Sequence, residues 1–525
     1  MKGQSRITRI SEKISSVTNL ARAKFSNEVY SLSYLIRWTI LGVIIGSIAG
    51  GAAIAFTLGV EFFETVFLGA IVDFVPPSPS SVVSGLIVNS PDGLTISSTS
   101  STSVGNNNTL GIVLQNYLSF ENTSWWMIPL VTALGGLIVG LIVTRLAPEA
   151  EGHGTDAVIG ALHNRQGKIR ARIPFVKGLT SSITLGSGGS GGTEGPVAHI
   201  SSGLASALSG FFKLNDSDRR LFVISGMAAG IGSIFKIPLG AAIFSSEVLY
   251  RRDFEVRALV PSIIASVVGY SVYSSAFGWS HLFAIPMGFI EYNRPDSLIL
   301  YATLGLVCAG ASTFYVKVFY KIKELFDSWH SVPKFVRPAI GGALVGLIAL
   351  LLPQVLGTGY GWLQFALYGQ APTTIAATMM EEDLSTTTAI LILSMIALVI
   401  AKIVATSLTI GSGGSAGVFG PSIVIGGFVG ALVGLIFHSF GLFLGVDITA
   451  TTVVGMVAFF AAAAKTPISS IIMGSEMTGG YTLLAPIMLA TVIAYVASGQ
   501  KNGIFKNQVS SRAELGLQEN SGRVG

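Results

Sequence analysis

The sequence is poor in charged residues and has almost no cysteine. Only 11% of its 525 residues are charged and 50% are hydrophobic, whereas a soluble domain has about 25% charged residues. This balance excludes an ordinary soluble domain and predicts a membrane protein. The single cysteine, Cys308, excludes an intramolecular disulfide bond. Without a cysteine pair or an H-E-x-x-H motif, metal catalysis is also disfavoured.

Apolar stretches recur along the chain, and several are shorter than the roughly 20 residues that cross a bilayer. Short or broken helices are tolerated at membrane depth only where protein or a water-filled cavity surrounds them. We therefore predict an all-α polytopic membrane protein of about 16–18 helices of unequal length, arranged around a polar path. The clearest apolar stretches are residues 39–60, 125–144, 298–315, 339–352, 389–401, 426–442 and 451–464.

The net charge of +5 comes from basic residues beside apolar segments, which is the pattern of cytoplasmic loops rather than of nucleic-acid binding. We expect residues 1–33 to be a cytoplasmic amphipathic segment, with no cleavable signal peptide, and the basic loop 165–172 to lie on the same side of the cell membrane. The Ser/Thr-rich stretch 74–124 contains no Lys or Arg, and it fits an external loop. Its sequons at Asn107 and Asn122 leave glycosylation open.

An unusual glycine pattern occurs twice in the chain. Residues 186–196 read GSGGSGGTEGP and residues 411–421 read GSGGSAGVFGP, with eight of eleven positions identical. A second match joins Pro238 and Glu247 to Pro467 and Glu476, with the same spacing of nine residues. The chain is therefore duplicated, although similarity alone leaves parallel and inverted repeats open. Paired breaks of this kind in a membrane protein point to a solute site.

The duplication divides the chain into two membrane repeats. We assign residues 34–285 to the first repeat and residues 286–510 to the second. The polar tail 511–525 is short, so we expect no folded cytoplasmic regulatory domain after the second repeat.

Each glycine segment has the features of an unwound stretch that leads into a helix. Pro196 and Pro421 suit the first turn, where a missing N–H costs nothing. A helix start offers unpaired N–H donors and a partial positive charge, so two such starts can hold an anion that still leaves. The alternative is that these small residues serve only tight helix–helix packing.

Glu194 lies inside the first glycine segment, at the predicted helix start. Its carboxylate can occupy the anion site, and protonation would free that site, so Glu194 can act as a gate and a proton carrier. The alternative is an ordinary N-terminal capping carboxylate. Because Phe419 occupies the equivalent place in the second segment, the turn itself does not need an acid.

These residues resemble the CLC family of chloride channels and proton/chloride exchangers over nearly the whole chain. Residues 192–196 (GTEGP) match the family's G-K/R-E-G-P signature with Thr193 at the basic position, and residues 417–421 (GVFGP) match G-x-F-x-P. The resemblance implies an inverted repeat, a homodimer and one anion path per subunit. It also implies that Glu194 is the gate and that chloride binds near Thr193, Gly195, Val418 and Phe419.

Two departures from the family pattern concern the anion ligands. Where the family has G-S-G-I-P, this chain has Gly152, His153, Gly154, Thr155 and Asp156. His153 therefore stands at the position of the family's serine, and Gly154 follows it. Phe505 is the best match to the family's central tyrosine. The loss of two hydroxyl groups should weaken the central anion site, whereas an imidazole can still donate one N–H.

A third departure concerns proton coupling. The family's exchangers often carry two adjacent acids where this chain has Glu247 and Val248, and the second acid is their internal proton relay. Valine carries no proton, and the family counterpart of Glu247 is more often structural. The sequence therefore favours a voltage-gated or passive chloride channel, with a proton-coupled chloride antiporter as the alternative.

Other classes of function fit less well. The two G-x-S-x-G matches suggest a serine hydrolase, but the six histidines are scattered and a catalytic serine needs no twin. A cation-coupled symporter also uses broken helices, but Phe419 opposite Glu194 argues against it. We expect a membrane protein that is not an enzyme, needs no cofactor, and has chloride, similar anions and the lipid bilayer as its partners.

Overall fold

The computed structural model describes residues 32–88, 124–285, 295–369, 372, 384–442, 446–500 and 502–514. The predicted N-terminal amphipathic segment lies outside these residues except for its last two positions. Both sequons, at Asn107 and Asn122, and residues 515–525 of the predicted tail also lie outside them.

The described part of the chain contains eighteen α-helices, which confirms the predicted all-α polytopic fold. The longest has 33 residues and the shortest has three. The helices are α1 (Leu32–Glu64), α2 (Ala70–Val72), α3 (Pro79–Val88), α4 (Ile128–Leu146), α5 (Thr155–Asn164), α6 (Ile173–Gly186), α7 (Glu194–Phe211), α8 (Asp216–Phe235), α9 (Pro238–Glu247), α10 (Val256–Phe277), α11 (Leu298–Ser328), α12 (Arg337–Ala349), α13 (Tyr360–Leu367), α14 (Leu384–Gly411), α15 (Phe419–Ser439), α16 (Ile448–Ala464), α17 (Pro467–Thr478) and α18 (Leu484–Ala497).

Six helical segments of the described chain are long and apolar enough to cross a bilayer. In five of them no more than 44% of the most apolar window is buried, so these helices also present apolar side chains outwards, as a lipid-facing helix must. The exception is Phe419–Ser439, whose window is 83% buried. Helix α15, which begins at the second glycine segment, therefore lies inside the protein.

The two repeats contain the same series of helices. Helices α4 to α10 of the first repeat correspond, in order, to α12 to α18 of the second. The turn between α8 and α9 illustrates the match. Lys236 ends α8 in the left-handed conformation (φ 58°), and Pro238 starts α9. Lys465 ends α16 with φ 60°, and Pro467 starts α17. The same local chemistry therefore builds the same helix pair twice.

The repeats are related by a twofold rotation rather than a translation. Gly192 and Gly417 form an antiparallel bridge, which requires the two segments to run in opposite directions. This pairing is consistent with the inverted arrangement that the family resemblance implies.

Two acids, the buried Glu247 and the partly buried Glu476, each cap the helix of the other across this twofold relation. Glu247, the last residue of α9, accepts hydrogen bonds from the start of α17, and Glu476, near the end of α17, accepts them from the start of α9. Carboxylates at helix starts satisfy unpaired N–H donors and oppose the helix dipole favourably. The backbone donors are Ile468 (3.0 Å) and Ser469 (2.7 Å) for Glu247, and Leu239 (3.2 Å) and Gly240 (2.7 Å) for Glu476.

We expect Glu247→Gln and Glu476→Gln each to destabilise the protein by a similar amount, on the order of 1 kcal/mol. Each change removes the charge that caps a helix through two backbone N–H groups, although Glu247 also accepts a hydrogen bond from the Ser469 hydroxyl (2.6 Å). Thermal unfolding of the detergent-solubilised variants checks this, with the exposed Glu324→Gln as the control. Loss of proton coupling in Glu247→Gln with unchanged stability would instead favour a relay role for that residue.

Candidate anion pathway

The two glycine segments meet directly through their backbones. Gly192 N–H donates to Gly417 O and Gly417 N–H donates to Gly192 O, both at 2.7 Å. A Cβ atom on Gly417 would lie 2.8 Å from Gly195 N and 2.9 Å from Gly192 O, so a side chain there would force the segments apart. Glycine is therefore required for this approach, which brings the first turns of α7 and α15 next to each other.

Buried hydroxyl groups hold the paired segments from both sides. Ser190 N–H donates to Thr409 Oγ1 (3.0 Å), and its twin Ser415 N–H donates to Thr184 Oγ1 (3.4 Å). The Ser190 hydroxyl bonds to Thr406 (3.0 Å), and the Ser415 hydroxyl bonds to hydroxyls of α6 and to a backbone carbonyl. Both G-x-S-x-G serines thus bond to other hydroxyls, and the described residues place no histidine against either of them, which disfavours the serine hydrolase alternative.

Two fully buried lysines support the turns that precede α5 and α13. Lys177 and Lys402 are equivalent in the repeats, and each ammonium group donates to two backbone carbonyls of one turn. These bonds fix the turns that precede Thr155 and Tyr360. The acceptors are Ala150 (2.9 Å) and Gly152 (2.6 Å) for Lys177, and Val355 (2.9 Å) and Gly357 (3.0 Å) for Lys402.

Glu194 lies at the meeting point of the two repeats. It is the first residue of α7 and is 1% exposed. One carboxylate oxygen, Oε2, accepts the Gly420 N–H (3.1 Å), and the other, Oε1, accepts hydrogen bonds from the hydroxyls of Thr193 (3.1 Å) and Tyr360. No Lys, Arg or His within the described ranges forms an ion pair with it. The carboxylate therefore occupies the kind of site an anion would take, built from dipoles and hydroxyls without a full positive charge.

The space around this carboxylate is closely packed. A Cβ atom on Gly420 would lie 2.9 Å from Glu194 Oε2 and would also meet the Tyr360 hydroxyl. Phe419 turns its ring away, into an aromatic cluster with Phe460 (3.9 Å between ring centroids) and Phe235 (4.6 Å). At the first turn of α15, the backbone therefore donates to the site, whereas the Phe419 ring packs into the core.

A cavity of about 460 Å³ opens beside the basic loop 165–172 and extends to His153, Gly154 and His199. We call this cavity the vestibule. His153, Gly154 and His199 line it, and the backbone of His153 and Gly154 packs against Gly195, next to the gate position. Four basic and three acidic side chains also line the vestibule, so its charge is nearly balanced. They are Arg165, Lys168, Lys323 and Lys506, and Glu149, Glu151 and Asp156.

The structure brings the predicted inner ligands together. The His153 ring contacts the rings of Phe505 (5.7 Å between centroids) and Phe319 (6.1 Å). His153 Nδ1 is buried and has no hydrogen-bond partner among the described residues. His153, Gly154 and Phe505 thus lie together next to the vestibule, while Thr193, Gly195, Val418 and Phe419 surround Glu194. Val248 is fully buried next to the capping residue Glu247.

Sequence reasoning missed Tyr360, although its hydroxyl donates to the gate. The signal was a third internal match. Residues 148–155 (PEAEGHGT) and residues 353–360 (PQVLGTGY) share a proline and two glycines at the same spacing. In this match Tyr360 corresponds to Thr155, and Thr358 corresponds to His153.

His199 was also missed, having been considered only as one of six scattered histidines. It lies five residues after Glu194 in α7, is 2% exposed and lines the vestibule. Its Nδ1, like that of His153, has no partner in the described part of the chain. The sequence signal was a single ionisable residue in the otherwise apolar second turn of a helix that begins at the gate.

The fold and the site together are those of a membrane protein that carries a small anion. The site is buried, consists of two helix starts with a carboxylate between them, and lies next to residues that line the vestibule.

The chain belongs to the family described as voltage gated chloride channels, which it matches over residues 135–499. It is 31% identical over 373 residues to the uncharacterized protein MJ0305 of Methanocaldococcus jannaschii, covering 70% of this chain and 84% of that one. It is 25% identical over 402 residues to the H(+)/Cl(-) exchange transporter ClcA of Yersinia pestis, covering 74% and 79%. The family resemblance and CLC-type chloride transport are thereby confirmed.

Solved structures show the same fold. The chain resembles a slow cyanobacterial Cl-/H+ antiporter with a TM-score of 0.63 and 18% identity, covering 88% of this chain and 94% of that one. It resembles a CLC-type fluoride/proton antiporter with a TM-score of 0.64 and 19% identity, covering 91% and 100%.

We expect His153→Ser to shift the preference among chloride, bromide and nitrate by about twofold or more, because a hydroxyl donor replaces an imidazole beside the pathway. Anion flux from liposomes under equal gradients of each anion checks this. The exposed His438→Ser is the matched control. Unchanged relative rates in folded protein would show that the His153 side chain does not contact the anion.

Proposed function

We propose that the protein is a proton-coupled chloride antiporter in which Glu194 is both the gate and the proton carrier. The observation that carries this proposal is the Glu194 carboxylate, which is buried in a site built from donors of both repeats. A carboxylate and a chloride ion compete for the same donors, so the anion advances only when the side chain leaves. Protonation weakens the hydrogen bonds that those donors make to the carboxylate. Binding of a proton therefore releases the carboxylate and allows chloride to move.

The names of the relatives support exchange over passive conduction. ClcA is named an exchange transporter, and the cyanobacterial neighbour is described as an antiporter. The sequence favoured a channel because Val248 replaces the internal acid. The comparisons support the antiporter alternative better, and Val248 then points to a different inner route for the proton.

The vestibule offers such a route. Its inner end carries two histidines, His153 and His199, whose Nδ1 atoms have no partner among the described residues. His199 lies on the helix that begins at Glu194. We propose that a proton passes between the vestibule and the gate through these imidazoles, because a neutral imidazole can accept a proton at one ring nitrogen and release one from the other.

A passive chloride channel is the second candidate. The buried Val248 favours it, since valine cannot relay a proton. Glu247 does not restore the relay in this structure, because its carboxylate caps α17.

We also propose an orientation and an assembly. The positive-inside rule places the basic loop 165–172, and with it the vestibule and the N-terminus, on the cytoplasmic side of the cell membrane. Family membership favours a homodimer with one pathway in each subunit.

A chloride gradient across reconstituted liposomes should drive protons uphill in the opposite direction. External chloride and pH are recorded together, with a potassium ionophore to set the voltage. In Glu194→Gln, chloride movement should remain or increase while its pH dependence and the proton movement disappear, because the side chain no longer ionises.

The exposed Glu324→Gln should behave like the unchanged protein in this assay. Chloride movement without any proton movement in the unchanged protein would reject the antiporter in favour of the channel. Loss of all chloride movement in folded Glu194→Gln would reject the gate.

His199→Gln should lower the number of protons moved per chloride at least about twofold while chloride still moves, because an amide keeps hydrogen-bonding capacity but does not titrate. The same liposome recording checks this, with the exposed His330→Gln as the control. An unchanged proton-to-chloride ratio in both His199→Gln and the double variant with His153→Gln would exclude the histidine route.

A further inference from the structure

The hydroxyl of Tyr360 is held rigidly at the gate. Tyr360 is the first residue of α13 and follows two glycines with positive φ, Gly357 (57°) and Gly359 (84°). The Lys402 ammonium group donates to Gly357 O and so fixes this turn. The conformation that places Tyr360 therefore depends on glycines and on a buried cation, both of which belong to the second repeat.

The tyrosine ring is also fixed. It is 8% exposed and packs against Phe283 (5.7 Å between centroids, edge to face) and Phe235 (6.4 Å). With its ring held, the hydroxyl has little freedom to find another acceptor. In this structure it donates to Glu194 Oε1.

We propose that Tyr360 is a hydroxyl ligand of the transported anion at the site that the Glu194 carboxylate now occupies. This inference rests on the proposed function, in which the carboxylate and the anion alternate in one place. When the carboxylate leaves, the buried hydroxyl loses its acceptor, and an anion that enters the same space restores the bond. The Gly420 N–H and the Thr193 hydroxyl, which now bond to the carboxylate, complete the donor set.

This assignment accounts for a deficit in the rest of the pathway. His153 and Phe505 lie at the inner end without a hydroxyl group, and the Phe505 ring has no hydrogen-bond donor at all. Tyr360 supplies a hydroxyl further along the pathway from the vestibule, beside the starts of α7 and α15. Tyr360 therefore gives the site at Glu194 a hydroxyl donor that the side chains of His153 and Phe505 do not offer.

The arrangement also predicts selectivity. A rigid O–H donor favours a small anion with concentrated charge over a larger, more diffuse one, because its contribution is electrostatic. Removal of the hydroxyl should therefore weaken the binding of chloride more than the binding of nitrate.

The test uses Glu194→Ala, in which the gate is absent and the site is open to anions. Chloride binding to the purified full-length protein is measured by isothermal titration calorimetry, with and without the additional change Tyr360→Phe. We expect Tyr360→Phe to reduce chloride affinity about tenfold, the effect of one hydrogen bond to a charged group, and to reduce nitrate affinity less. Tyr368→Phe, at the other end of α13, is the matched control and should bind chloride as Glu194→Ala does.

Gly420→Ala provides a second variant, which keeps the tyrosine in the sequence but crowds its hydroxyl. A Cβ atom there would meet the Tyr360 hydroxyl, so chloride affinity in the Glu194→Ala background should also fall. Gel filtration shows whether each variant is folded. Equal chloride affinity with and without Tyr360→Phe would overturn the proposal, and so would a loss that is the same for chloride and nitrate.

The result does not depend on proton coupling. If the liposome recordings reject the antiporter, the calorimetry still decides whether Tyr360 contacts the anion. If the antiporter stands and the affinities are equal, only the ligand assignment fails.

Discussion

The two hydrogen bonds between the backbones of Gly192 and Gly417 are the constraint on which the rest of the structure depends. They pair two unwound segments in the middle of an apolar protein, where an unpaired amide would be costly. Because the pairing is antiparallel, the two segments run in opposite directions, and it brings the starts of α7 and α15 next to each other. The anion site is a consequence of this geometry, since the donors of both helix starts converge without any side chain of full positive charge.

The same twofold relation pairs several of the charged groups that the fold removes from solvent. Lys177 and Lys402 each hold a turn, and Glu247 and Glu476 each cap a helix of the other repeat. Because the chain is duplicated, the same polar contact occurs once in each repeat. Polar groups that match between the repeats therefore have a structural explanation. Function is better sought where the symmetry is broken. Glu194 corresponds to Phe419 in the second repeat, and Tyr360 corresponds to Thr155 in the first. Both differences are found at one carboxylate, where we propose the gate.

The sequence predicts much of the fold and part of the site, for reasons that particular residues make clear. The glycine segments and the Pro238 and Pro467 matches are local patterns, so the duplication, the helix starts and the place of Glu194 could be found without a structure. The direction of the repeats could not, because it depends on which backbone Gly192 meets. Tyr360 was missed for the same reason: it lies 166 residues from Glu194 along the chain, and only the folded protein brings its hydroxyl to the carboxylate. The structure places His153 and Phe505 together, as the motif match required, but their contact with an anion stays a prediction.

The identity of the donors decides how such a site can both bind and release an anion. Amides and hydroxyls attract chloride less strongly than a lysine would, so the ion is held and can still leave. The carboxylate of Glu194 experiences the same attraction and is tethered beside the site, which gives it a high effective concentration there. A mobile anion therefore displaces it only when the carboxylate is neutralised or when the anion concentration is high. This competition makes transport sensitive to protons even before any inner relay is considered. In the antiporter that we propose, a relay adds directional coupling. With Val248 in the usual relay place, that coupling would depend on the ionisable groups that the vestibule brings close to α7.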